Sequence, residues 1–373
     1  LGAGQDISTR ISILYAPPGA WSHGFLWGAD VVPISDSTKF KPDTDRVRKV
    51  RNEGGGVEGS KRATAFALAL NSPTAVRTLN SLLADGVSAE LATAPFTNSL
   101  GQQMAAGTIL FPSSVRKTLD DLGKDTGLVF VGVKGPLPAR EPLTASPKIA
   151  VLTGAVNQDV WVLRDLGFTA DPIGTGATSA LNNPAGPNPL VNYDVVFNTA
   201  GWPTDLSLAT VRSRLTAFFA RGGGYLGALT NGVNFLTASG QLPAGSFTAA
   251  NRSGSGRSGI ITWNNSASGT GLITGAYRTQ DTAIMDPPTW YTAVPSGWTV
   301  DGSLPLTGFF LSGLWPMDAL SASAPGSAVI AHGTNTNAGN TARMATFAMN
   351  PLYRADPERE WPMISSAAYW ADQ

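Results

Sequence analysis

Hydrolytic and group-transfer chemistry draws on a short set of side chains, and this 373-residue chain holds few of them. It has no cysteine and two histidines, His23 and His332. Without cysteine there are no disulfides, thiolate metal sites or cysteine nucleophiles. A catalytic zinc usually takes three protein ligands and keeps one position open. His23 is followed at plus three by Leu26 and His332 by Asn335, so neither opens a His-x-x-Glu ligand pair. A hydroxyl nucleophile remains. Thr230 lies in Gly227-Ala228-Leu229-Thr230-Asn231-Gly232, after the apolar run Leu215–Phe219 and the hinge Gly222-Gly223-Gly224, where a strand-to-helix turn is expected. Such a hydroxyl needs an imidazole within hydrogen-bond reach. His332 is the candidate, and the sequence leaves its position open. Asp281, Asp286 and Asp318 could pair for glycoside chemistry or hold calcium; Asp286-Pro287-Pro288 reads first as a turn.

Candidate binding residues lie toward the C-terminal half. Trp263, Trp290, Trp298 and Trp315 fall in a stretch rich in Gly, Ser, Thr and Pro. They read either as stacking platforms for sugar rings or as large packing residues of a β lobe. His332 closes the apolar run Val329-Ile330-Ala331, and His23 sits among Trp21, Phe25 and Trp27. His23 reads as a structural hydrogen-bonding residue, with contact to a substrate or an adjoining catalytic domain as the alternative. Arg354, Asp356, Glu358, Arg359 and Glu360 form a loop of alternating charge, expected to pair internally, with ligand contact by Arg354 as the alternative. Gly174–Ser179 and Ser253–Gly259 are followed by no Gly-Lys-Ser/Thr and read as loops rather than phosphate cradles.

Lys plus Arg equals Asp plus Glu at 26 each, so no long-range field recruits nucleic acid or an anionic membrane. No apolar stretch is long enough to span a bilayer. Charged residues make up 14%, against about a quarter in ordinary globular chains. That low charge, the absent cysteine and ten tryptophans suit a secreted bacterial protein, and the start at Leu1 suits a mature or processed product.

The elements that must position these residues fall into three regions. Residues 1–60 are irregular, with short strand-like pieces at Ile11–Tyr15 and Phe25–Ile34, and Lys39–Lys61 reads as a charged, Gly-rich loop or linker. Residues 61–147 form a small α/β unit with strands expected at Thr64–Leu70, Val87–Leu91, Thr108–Phe111 and Leu128–Val133. One helix is capped by Ser72 with Pro73 at its first position and stopped at Gly86; a second is capped by Ser113 or Ser114 and closed by Gly123. A Pro-rich bridge (Pro136, Pro138, Pro142, Pro147) marks a boundary. Residues 148–373 alternate strand and helix, from Lys148–Leu152 through Val156–Leu166, Val191–Asn198, a helix capped by Ser207, and Tyr225–Ala228. That alternation predicts a parallel, doubly wound sheet. A β-rich insertion covers about 238–342, after which a strand at Arg343–Met349 and a helix around Met363–Trp370 close the chain.

The run Lys148–Leu152, Tyr193–Phe197, Arg221-Gly222-Gly223-Gly224-Tyr225-Leu226-Gly227 and Phe347–Arg354 together resemble the class I glutamine amidotransferase-like fold. The resemblance implies a flavodoxin-like sheet with a G-x-C-x-G nucleophile elbow and a later His-Pro-Glu stretch. Leu229 stands at the cysteine position, Asn231 at the second glycine, and Asn350 and Leu352 at the histidine and glutamate positions. Asn350–Pro362, with Asp281–Trp290, Gly308–Pro316, Ser22–Asp30 and Ala106–Pro112, is similar to the C-terminal part of large exported zinc carboxypeptidase-type proteins of actinobacteria. This second resemblance implies a non-catalytic accessory region that packs on a metallopeptidase domain or chain, or binds its peptide or glycan substrate. Zinc would then belong to an upstream or partner domain, with no cofactor in this chain. A stand-alone hydrolase using Thr230 with His332 or acidic residues, and a cell-wall glycan binder using the insertion tryptophans, are the alternatives.

Overall fold

The computed structural model describes residues 54–199, 208–252, 258–313, 315, 319–335 and 341–373. His23, Ser207 and Asp318 lie outside the described residues, as do the expected strands at Ile11–Tyr15 and Phe25–Ile34.

The first sheet holds β1 (Gly56–Glu58), β2 (Ala65–Leu68), β3 (Ala89–Ala92), β6 (Ile109–Pro112), β7 (Val129–Val133) and β8 (Arg140–Leu143), in the order β1-β7-β2-β6-β3-β8. A separate two-stranded ribbon joins β4 (Phe96–Thr97) and β5 (Gln103–Met104). Two expectations are corrected here. Gly56–Glu58 belongs to the segment read as linker, yet it pairs in parallel with β7. The Pro-rich bridge contributes an edge strand, Arg140–Leu143, antiparallel to β3. An edge accepts Pro142 because its missing N–H is not needed on the open side.

Helix α1 (Pro73–Ala84) follows its sequence signals. The Ser72 side chain accepts from the Ala75 N–H at 3.2 Å, and Gly86 ends the helix at φ 80°. Its buried stripe of Ala75, Val76, Leu79, Leu82 and Leu83 covers one face of the sheet. Helix α2 (Arg116–Thr126) departs from expectation: Ser113–Val115 form a 3₁₀ turn without a side-chain cap, and the stop is Gly127 at φ 81°. Gly123 stays inside the helix, where it lets β1 approach. A Cβ there would lie 2.4 Å from the Gly56 nitrogen.

The second sheet has twelve strands. Its parallel part comprises β9 (Lys148–Val151), β10 (Thr169–Pro172), β11 (Val195–Asn198), β12 (Gly224–Ala228) and β20 (Arg343–Phe347), in the order β10-β9-β11-β12-β20. Numbered by their sequence order within this parallel part, that is 2-1-3-4-5, the flavodoxin-like doubly wound arrangement. Strands β9, β11 and β12 are almost wholly buried, as the sequence pattern of a sheet covered on both faces requires. Helices α3 (Gln158–Asp165), α4 (Ala209–Ala220), α5 (Leu229–Ala238) and α6 (Trp361–Ala371) accompany them.

The β-rich segment extends this sheet rather than forming a lobe apart. It comprises β13 (Thr248–Asn251), β14 (Gly259–Asn265), β15 (Gln280–Met285), β16 (Thr289–Ala293), β17 (Thr299–Ser303), β18 (Phe310–Gly313) and β19 (Ala328–Thr334). Strand β19 pairs antiparallel with β20, and β17, β14 and β15 continue outward. One continuous apolar cluster runs from Phe66 of the first sheet to Trp370.

At the end of α6 the Asp372 carboxyl is raised from 3.8 to about 7, by burial and then by the Asp194 charge. A group raised on folding contributes stability that is full below its unfolded value and lost as pH rises through its folded one, here between about 4 and 7. Because water screens this partly exposed group, Asp372→Asn is expected to gain only about 1 kcal/mol near pH 8. Urea unfolding should show the two proteins converging in stability below about pH 4.

Candidate functional site

In an open α/β sheet, ligands gather outside the carboxyl ends of the strands, near the point where strand order reverses. Here that point lies between β9 and β11, with β12 and β20 beside it.

The turn from β12 into α5 has an elbow's geometry. Leu229 adopts φ 60°, one of three non-glycine residues at positive φ among the described residues. A left-handed conformation costs a branched side chain roughly 1–2 kcal/mol. Packing holds it in place. Tyr225 Oη donates to the Gly232 carbonyl at 2.7 Å and accepts from Asn198 Nδ2 at 3.2 Å, while its ring stacks on Phe235 at 5.8 Å. Gly227 and Gly232 bring strand and helix together: a Cβ on Gly232 would lie 2.7 Å from the Gly227 main chain. At the reactive position Leu229 is partly buried and packs against the apolar core. The close-packed glycine is therefore Gly232, one residue beyond the position Asn231 was expected to fill.

The residues that the resemblance sets against His-Pro-Glu have structural roles. Asn350 is 4% exposed; its Nδ2 donates to Asp159 Oδ1 at 3.1 Å, and its Oδ1 accepts from the Leu352 N–H at 3.0 Å. Asp159 begins α3 and is fully buried. Its other oxygen accepts from Thr199 Oγ1 at 2.6 Å. Burial pushes the Asp159 carboxyl up, while Thr199, Asn350 and Asn157 pull it back. The network Asp159–Thr199–Asn350 ties together the ends of β11 and β20 and the start of α3. Sequence reading missed Asp159 and Thr199, because neither stands in a motif. Leu352 is fully buried in the core.

The structure does not bring Thr230 to His332. Thr230 Oγ1 accepts from Asn251 Nδ2 at 2.8 Å. His332 pairs across strands with Ala345, and Ala345 with Leu226. Leu226 shares its face with Gly224, where a Cβ would strike Ala371 of α6. His332 thus lies on the α6 face, with its ring 4.9 Å from Trp370, while Thr230 heads α5 on the face of Tyr225 and Gly227. The histidine's partner is Asp301: Nδ1 lies 2.6 Å from Oδ2 of a carboxylate that is 1% exposed. A register shift between Val300 and Gly302 makes Asp301 a bulge residue. Bulges re-aim side chains in this way, and no sequence signal marked this one.

The tryptophan platform is corrected. Trp263 and Trp290 are wholly buried and Trp315 is 4% exposed. Trp290 stacks on Trp315 at 5.8 Å and donates through Nε1 to Ser323 Oγ at 3.0 Å. Trp298 is partly buried, edge-on to Phe247 at 5.4 Å and directly against Gly333. Arg354 is exposed, with φ 51° and its guanidinium 5.3 Å from the Tyr353 ring. Of the neighbouring charges, Arg359 pairs outside the loop and the Glu360 carboxyl accepts from the Ile284 N–H at 2.8 Å. Arg359 meets Asp281 at 2.6 Å, and Tyr353 Oη donates to Asp286 at 2.5 Å. Asp281 and Asp286 are thus held in separate pairs. Among the described residues no cluster of three metal-ligating side chains occurs, and no helix is long and apolar enough to cross a membrane.

No protein-family model matches the chain, and no curated protein matches it in sequence. Solved structures do. The chain is similar to glutamine amidotransferase-like structures. Among them, PurLQS from Thermotoga maritima is 14% identical, over 60% of this chain and 99% of that one, at a TM-score of 0.40. A glutamine amidotransferase from the same organism is 9% identical over 57% and 80%, at 0.36. A ThuA-like protein from Parabacteroides merdae is 10% identical over 61% and 90%, at 0.39. The assignment of a mixed α/β, flavodoxin-like fold rests on the strand order itself.

Proposed function

We propose that this chain is a non-catalytic accessory region of a secreted zinc carboxypeptidase-like protein, which packs on the peptidase domain or binds its substrate. One observation carries the non-catalytic part: the elbow keeps its left-handed residue and close-packed glycine, yet presents Leu229, docked on the core, where a nucleophile would stand. The link to a peptidase rests on the wording of Asn350–Pro362 and the other matched segments. Zinc belongs, on this reading, to the peptidase. A stand-alone hydrolase would have to rely on the Asp301–His332 couple rather than on Thr230, since these are the groups that lie together.

Native mass spectrometry with metal analysis on protein isolated from its source tests the reading. The expected result is a zinc-bearing peptidase that co-purifies with this chain or is continuous with it. A lone, metal-free species near the calculated 38.7 kDa would overturn it.

A further inference from the structure

Outside the carboxyl ends of β9 and β10 lies a cleft of about 410 Å³. Small-molecule sites commonly fall in the range of about 300–1,000 Å³. Gly154, Ile173, Gly174, Gly176, Thr178 and Ser179 are among its walls, and no charged side chain lines it. We propose that this cleft binds a neutral carbohydrate, a single pyranose or the end of a glycan chain.

Three observations support this reading. The first is an orphan: Ser179 Oγ is buried in the cleft wall and has no hydrogen-bond partner. A buried hydroxyl left unmade costs free energy, which a ligand hydroxyl recovers when χ1 of Ser179 turns Oγ into the cleft. The second is rigidity. Arg214, 9% exposed, donates to the carbonyls of Ala180, Leu181, Asn183 and Gly186 at 2.5–3.2 Å, and Asn182 Nδ2 donates to Ala177 O at 3.0 Å. The wall is therefore held in shape without a ligand, and preorganisation lowers the entropy lost on binding. The third is charge. Arg214 is spent on those carbonyls, and Arg164 on Ala170 O and Asp171. A phosphate would enter without a counter-charge, at high cost. A purely apolar ligand would leave Ser179 unmet. A neutral molecule rich in hydroxyls satisfies both conditions. Beside the cleft in the chain, Val156 and Trp161 are 59% and 53% exposed. They occupy the two positions of a hydrophobic staple around the Asn157 cap, two and seven residues after Gly154 in the chain.

Isothermal titration calorimetry of the whole protein against glucose, mannose and N-acetylglucosamine, with inorganic phosphate as the charged control, tests the site. At least one sugar should bind saturably and phosphate should not. A Cβ on Gly176 meets nothing within 4 Å, and its backbone is in an ordinary region, so Gly176→Phe should fill the cleft without unfolding the chain. That variant should abolish binding with an unchanged thermal midpoint. Ser179→Ala should weaken binding about fivefold, the worth of one hydrogen bond. Retention on insoluble bacterial cell-wall glycan that Gly176→Phe abolishes would mark a chain end as the ligand; binding of the free sugar without such retention would mark the monosaccharide. The proposal is overturned if no neutral sugar binds, if phosphate binds in their place, or if either variant binds as the parent does.

Discussion

Gly232→Val should destabilise the protein by about 3 kcal/mol or more, because the new side chain has no space to enter. Its Cβ would lie 2.7 Å from the Gly227 main chain and 3.3 Å from the Asn198 carbonyl. These are backbone atoms of two central, buried strands, so they cannot swing aside as a flexible side chain would. Relief would come only by lifting α5 off the sheet. That movement would break the Tyr225 to Gly232 hydrogen bond and separate the stacked rings of Tyr225 and Phe235. Leu229→Gly is the matched control two positions into the same turn. It releases the left-handed strain at φ 60° and gives up a partly buried packing residue. The two effects oppose each other, and the net change should stay within about 1 kcal/mol. Urea denaturation of both variants reads the contrast. If Gly232→Val unfolds with the parent's midpoint, the elbow is not packed as described.

Asn80→Leu should cost a further large amount, about 3 kcal/mol, because the Leu166 carbonyl loses its donor and the Ser146 and Tyr369 hydroxyls lose their shared acceptor. Asn80 is 2% exposed on α1. Its Nδ2 donates to the Leu166 carbonyl at 2.7 Å, and its Oδ1 accepts from the hydroxyls of Ser146 and Tyr369. Four parts of the chain meet on one amide: the first α/β unit, the link between the sheets, the turn after α3, and the last helix. Gly167 permits the approach, since a Cβ there would sit 2.8 Å from Asn80 Cβ. Leucine keeps the branching at Cγ but offers no donor or acceptor, so most of the loss comes from the unmade hydrogen bonds. The Phe168–Tyr369 ring pair at 5.7 Å should loosen with it. Hydrogen exchange should show faster opening of both α1 and α6 in the variant. Faster exchange confined to α1 would contradict the coupling.

Much of the scaffold was legible because its signals are local. Ser72-Pro73 and Gly86 bound α1, and the apolar runs at 148–152 and 195–197 are strands buried on both faces. The second helix of the first unit was misplaced for a tertiary reason. Gly123 looks like a stop, but its missing side chain serves the approach of β1. The same cause hid β1 itself, a three-residue strand fixed by its partner β7 rather than by its own pattern. The insertion tryptophans illustrate a second limit. Alternation and composition announce aromatic residues in a β region, but not which face is covered. The sheet's continuation through β19, β17 and β14 decides that, and it buries Trp263 and Trp290. The elbow was legible residue by residue, since Leu229 and Asn350 stand in recognisable phrases. The groups that now hold that corner together, Asp159 and Thr199, were not. Their meeting depends on the ends of β11 and β20 converging with the start of α3.

The central claim, that this fold carries no working nucleophile at its elbow, is tested most directly by turnover. Purified protein should be assayed with glutamine and with an activated ester, beside Thr230→Ala and His332→Ala. The account predicts no hydrolysis above buffer for the parent, and identical traces for both variants. Parent turnover that is abolished by Thr230→Ala would contradict it, and would return the strand-to-helix turn to catalysis.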